Sequence, residues 1–121
     1  MDKMENILPE PVALTPEQIK VGLQAQFVRA ISEEQVRAFA RISGDATPLH
    51  MDENHARQSN FGRRIVHGAF QLSPASAFVA MRLPGRNALL GSVNAEFPSP
   101  LYFPCRARVQ GQVIRLTGPQ L

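Results

Sequence analysis

Ser43-Gly44-Asp45-Ala46-Thr47-Pro48-Leu49-His50 is the stretch from which the rest of this chain is read. Asp45 and His50 stand five residues apart on a segment that Gly44 and Pro48 shape into a loop. A carboxylate and an imidazole held this way can move protons around one water molecule. Seventeen residues beyond His50 comes another histidine, in Phe61-Gly62-Arg63-Arg64-Ile65-Val66-His67-Gly68. From Ala69 to Met81 only Gln71, Ser73 and Ser76 are polar. A helix of that composition is apolar nearly all round, so it is expected to be buried and wrapped by a sheet. Its first backbone N–H groups can bind an oxyanion. An acid–base pair beside an oxyanion site is equipment for adding water to a thioester-activated carbon chain, or for removing it.

Working outward, Ser32 opens a helix and forms a capping-box pair with Gln35. Val36, Phe39 and Ala40 make its apolar stripe, and Glu33 and Arg37 form an attractive pair on the solvent side. Gly44 suits a left-handed cap that ends this helix, so Asp45 begins a loop that Pro48 stiffens. Leu23 to Phe27 alternate apolar and polar residues, which predicts a strand. Residues 52–58 predict one short helical piece. Pro74 lies inside the apolar stretch and predicts a kink or a late helix start. Leu83-Pro84-Gly85 ends that helix. Leu89, Gly91, Val93, Ala95 and Phe97 predict a strand with one buried face, and Ala107, Val109 and Val113 predict another.

The chain of 121 residues, 44% hydrophobic, is expected to be one domain, residues 21–121, behind an N-terminal arm, residues 1–20, that carries Pro9, Pro11 and Pro16. No apolar run reaches the roughly 18 residues of a membrane span. The N-terminus lacks a basic-then-apolar pattern, so a cytoplasmic location is expected. Cys105, the single cysteine, can form no internal disulfide and makes a thiolate metal site an unpromising reading. Net charge is +3, from 13 Lys and Arg against 10 Asp and Glu, without a basic block. That argues against nucleic acid and suits phosphates on a small ligand or an acidic carrier protein.

The order strand, helix, G-D-A-T-P-L-H loop, F-G-R-R-I-V-H-G, apolar helix, L-P-G, strand, strand resembles the MaoC-like hot-dog dehydratases, and among them the (R)-specific enoyl-CoA hydratases. The likeness covers about residues 20–118. It implies an α+β hot-dog fold, an antiparallel sheet wrapped around a central helix, with about two further strands beyond the one near residues 106–116. It implies reversible hydration of trans-2-enoyl thioesters to (R)-3-hydroxyacyl thioesters, without metal or redox cofactor. The substrate would be carried on CoA or an acyl carrier protein, in fatty-acid or polyketide metabolism. The protein would be a homodimer, with no nucleic acid or membrane partner.

By the same resemblance Asp45 is the base that takes a proton from water. His50 positions that water and handles the second proton. The Gly68 N–H polarises the thioester carbonyl, and Ser76 falls where some members carry a hydrogen-bonding serine. Thr47 departs from the family's G-D-x-N-P, and a hydroxyl offers fewer donors than an amide. His67 either lines the substrate site or packs beside the helix. Arg63 and Arg64 either form a solvated rim or meet substrate phosphates. A hot-dog thioesterase and a non-catalytic acyl-binding subunit are the alternative functions.

Overall fold

The computed structural model describes residues 9–118. Its elements are strand β1 (Gln24–Ile31), helices α1 (Glu33–Ser43), α2 (Pro48–Met51), α3 (Glu53–Arg57) and α4 (Gly68–Met81), and strand β2 (Cys105–Gln112). The two strands pair antiparallel along their full lengths, from Gln24 opposite Gln112 to Ile31 opposite Cys105. Helix α4 crosses the inner face of this ladder. Phe78 stacks on Phe27 with ring centroids 6.2 Å apart. Gly111 leaves room for that ring, because a Cβ there would run into Phe78.

Helix α1 forms as its sequence dictates. Ser32 Oγ accepts from Gln35 N–H, and Gln35 Oε1 accepts from Ser32 N–H. A cap of this kind contributes about 1 kcal/mol. Gly44 ends the helix at φ 83°, which a residue with a Cβ rarely adopts. Val36 and Ala40 face inward and are buried. Val36 joins Ile31, Val66, Phe70 and Phe103 in the core, with Phe39, Leu101, Cys105 and Ala107 packed against it. Each of the large aliphatic side chains there contributes roughly 1.5–3 kcal/mol by leaving water. This core locks the two loops that carry Asp45 and His67 onto α1 and α4.

The loop after Gly44 holds more helix than expected. Pro48 begins the one-turn α2, a position where its missing N–H costs nothing, and α3 follows directly. Of the N-terminal arm, residues 1–8 lie outside the described residues. Further along it, Val12 N–H donates to Met81 O at 2.9 Å and Val12 O accepts from Arg86 N–H at 2.7 Å, so that part is tied to the end of α4.

Three expectations are corrected. Helix α4 does not start late: it begins at Gly68 and includes Pro74 before ending at Met81. Pro74 cannot donate to Phe70 O four residues back, but Ser73 Oγ does so at 2.8 Å. The carbonyl therefore stays satisfied and the helix continues. Second, α4 is covered on one side only, and Ala69, Ser73, Ala75, Ser76 and Ala80 are exposed. Its near-uniform apolarity promises burial all round, but two strands can screen only one face. Third, residues 89–97 form no strand, and Leu89 and Val93 are 94% and 53% exposed. Alternation alone makes no ladder. The segment pairs with neither β1 nor β2, which pair with each other.

Candidate active site

Asp45 leaves the left-handed Gly44 cap with its side chain partly in solvent. Its Oδ1 accepts from Thr47 N–H at 3.2 Å and from Thr47 Oγ1–H at 2.9 Å. These two donors, first the backbone one and then the hydroxyl, hold the carboxyl below the usual carboxylate range. The positive potential of His50 and His67 adds to this. Oδ1 is thus occupied, and Oδ2 is the oxygen left facing His50, 3.9 Å from its Nε2.

His50 sits on α2, half-buried. Its Nδ1 lies 2.8 Å from Ile65 O, and a carbonyl only accepts, so Nδ1 carries the hydrogen. In the neutral ring Nε2 is then a bare acceptor directed toward Asp45 Oδ2. His67, the residue before α4, is 1% exposed. Its Nε2 lies 2.9 Å from Asp45 O and must likewise be the donor. The two imidazoles stack, with centroids 3.9 Å apart and planes at 24°.

One donor atom each from Asp45, His50 and His67 lies within 4.8 Å of the other two. The free lone pairs of the stacked rings lie in two near-parallel planes, however, and one ion cannot occupy both. The trio suits proton handling better than metal binding.

Gly68 opens α4. The first intrahelical bond is Gln71 N–H to His67 O at 3.3 Å, so the N–H groups of Gly68, Ala69 and Phe70 precede it and have no intrahelical acceptor. They form the positive end of a 14-residue helix. A cleft of about 270 Å³ opens beside Gly68, lined by Phe61, Ile65, Val66, Gln71 and Phe97 among others. A larger hollow, about 540 Å³, lies elsewhere, over Gln24, Gln26, Gln110 and Gln112. No titratable group lines it, so it carries no acid–base chemistry.

The remaining predicted residues divide. Ser76 is exposed on α4, two turns beyond Gly68. Arg63 lies over the Tyr102 ring at 4.3 Å and has no carboxylate partner among the described residues. Arg64 is committed: its Nη2 reaches Glu33 Oε1 at 2.8 Å and its Nε reaches Glu53 Oε2 at 3.0 Å. Hydrogen bonds from Arg64 and then Arg37 hold the Glu33 carboxyl below its usual value. Burial pushes the Cys105 thiol up, away from thiolate chemistry. The sequence did not single out Gln71 as a cleft residue or Thr47 as the holder of Asp45. The signals were there: a lone polar residue on an apolar helix, and a hydroxyl two residues after an aspartate.

Comparison with known proteins bears on the family and the fold. A family model described as MaoC like domain matches residues 14–117. A 3-hydroxybutyryl-CoA dehydratase of Methylorubrum extorquens is 38% identical over 95 residues, 78% of this chain and 60% of that protein. An (R)-specific enoyl-CoA hydratase of Rhodospirillum rubrum is 35% identical over 85 residues, 70% of this chain and 59% of that protein. The chain thus spans about 60% of the length of these curated relatives. Among solved structures, an (R)-hydratase of A. caviae involved in PHA biosynthesis superposes with a TM-score of 0.81. That match covers 84% of this chain and 77% of that one at 28% identity.

Proposed function

The chain belongs to the MaoC-like domain family and has its hot-dog fold, and from that premise we propose that it is a lyase adding water to trans-2-enoyl thioesters to give (R)-3-hydroxyacyl thioesters, reversibly. The observation that carries the reading is the 3.9 Å separation of Asp45 Oδ2 from His50 Nε2. Both are acceptors, and the far side of each group is pinned by hydrogen bonds. A water at about 2.8 Å from each would donate one hydrogen to either, which turns its oxygen lone pairs outward.

That water's oxygen adds to C3 of the enoyl chain. One water proton passes to Asp45, and the C2=C3 electron pair moves toward the thioester oxygen. The Gly68 N–H and the α4 dipole stabilise that oxygen as its charge grows. The proton held by the Asp45–His50 pair is then delivered to C2, so the pair ends as it began. Acyl chain would lie in the cleft bounded by Phe61 and Phe97. Phosphates of CoA, or of a carrier-bound pantetheine, would meet Arg63, since Arg64 already answers two carboxylates. Ser76 would contact bound acyl chain only in an assembly that closes over the open face of α4. A homodimer supplies such closure. Free strand edges and exposed Val28, Leu89 and Phe97 support association.

The test is incubation of the purified protein with crotonyl-CoA. Loss of the enoyl absorbance without free thiol is the expected result. Thiol release would instead mean a thioesterase, and silence in both readouts would mean an acyl-binding module.

A further inference from the structure

His50 comes from the first loop and donates to Ile65 O of the second, while His67 comes from the second loop and donates to Asp45 O of the first. The bonds are reciprocal, and the two rings lie face to face between them. We propose that His67 is a positioning residue: its Nε2–H holds the Asp45 backbone, and its ring backs the His50 imidazole, so that the two reacting groups keep one fixed separation. This rests on the hydration reading above.

Packing alone does not account for a histidine here. His67 is sandwiched between His50 and the edge of Phe39, whose ring centroid lies 4.9 Å away. A phenylalanine would fill the same space. It would also remove a penalty, because His67 Nδ1 is buried with no hydrogen-bond partner among the described residues. A buried polar atom left unpaired is costly and is retained where something else requires the group. The one thing the imidazole supplies that a phenyl ring cannot is the Nε2–H bond to Asp45 O.

That bond acts where precision matters. Thr47 fixes the Asp45 carboxylate from one side, but its own position follows the Asp45 backbone. Without His67 the Asp45 backbone loses its one hydrogen bond across to the second loop among the described residues. A displacement of about 1 Å between reacting groups can cost on the order of 100-fold in rate.

Three substitutions separate the possibilities. His67→Phe keeps the ring and loses the donor. His67→Gln places an amide nitrogen where Nε2 stood, and His67→Asn places its amide where Nδ1 stood. Crotonyl-CoA kinetics should show kcat down roughly 10- to 100-fold for His67→Phe and His67→Asn, with KM within about twofold and melting temperature not lowered for Phe. His67→Gln should recover most of the loss. Parental kcat in His67→Phe would reduce the residue to packing. A raised KM with unchanged kcat would make it a substrate contact. Failure of Gln to exceed Asn would remove the donor from the argument.

A second measurement needs no activity and no variant. Long-range proton–nitrogen NMR of the parent should show His67 as the Nε2–H tautomer and His50 as the Nδ1–H tautomer. The opposite tautomer at His67 would overturn the clasp even in an active enzyme. The expected tautomers in an inactive protein would leave the clasp standing and sink only the hydration reading.

Discussion

Replacing Asp45 with asparagine changes the chemistry of the site while leaving its shape. The asparagine oxygen can take the place of Oδ1 and keep both Thr47 bonds, at 3.2 and 2.9 Å. Its NH2 then stands where Oδ2 stood, 3.9 Å from His50 Nε2. A proton acceptor has become a donor aimed at His50, so the seat for a two-donor water disappears together with the base. Loss of a general base typically costs 10²- to 10⁴-fold, so kcat for crotonyl-CoA hydration should fall about 1,000-fold and by no less than about 100-fold. His50→Ala belongs to the same range. Because the Asp45 side chain is 45% exposed, melting should move by no more than about 3 °C. The pH profile adds a signed check. Thr47 stabilises the charged form, so the folded pKa is depressed and the base remains ionised through mildly acidic pH. Accordingly, kcat/KM of the parent should show no acid limb from Asp45 within the ordinary carboxylate range, and its decline should begin below that range. The stability that this ionisation contributes is present above the unfolded value of about 3.9 and is lost as pH falls through the folded one. Turnover within tenfold of the parent, in folded Asp45→Asn protein, would refute the assignment of Asp45 as base.

Thr47→Asn should retain activity within about threefold or improve it, because the side-chain amide can replace the hydroxyl donor to Asp45 Oδ1; a loss above tenfold would show a loop built specifically around threonine. Light scattering at micromolar concentration should give a particle of twice the 13.3 kDa chain mass, and a strictly monomeric protein would remove the homodimer. Ile31→Val, at a site 2% exposed in the core, should cost about 0.5–1.5 kcal/mol and lower the melting temperature by roughly 2–6 °C; an unchanged transition would mean that β1 does not anchor the core as described.

The elements that depend on neighbours along the chain were legible in the sequence. Ser32 with Gln35 and Gly44 fixed both ends of α1, because capping bonds and left-handed backbone are local matters. Alternation marked β1 and β2, whose inward residues meet α4. The Asp45–His50 pair was legible too, since a loop of fixed length carries both groups. Other features required the folded chain. Whether residues 89–97 become a strand depends on a partner edge, which no alternation supplies. Whether α4 is buried depends on how many strands cross it. Pro74 leaves a late helix start open until Ser73 Oγ is seen to serve Phe70 O. Arg63 and Arg64 are neighbours of like charge in sequence, yet α1 and α3 bring Glu33 and Glu53 to Arg64 alone. His67 looked like packing or a substrate contact. Its bond to Asp45 O spans 22 residues, and no local pattern encodes it. Composition and spacing determine what each segment can do by itself; which donor meets which acceptor across the fold is decided only when the core brings them together.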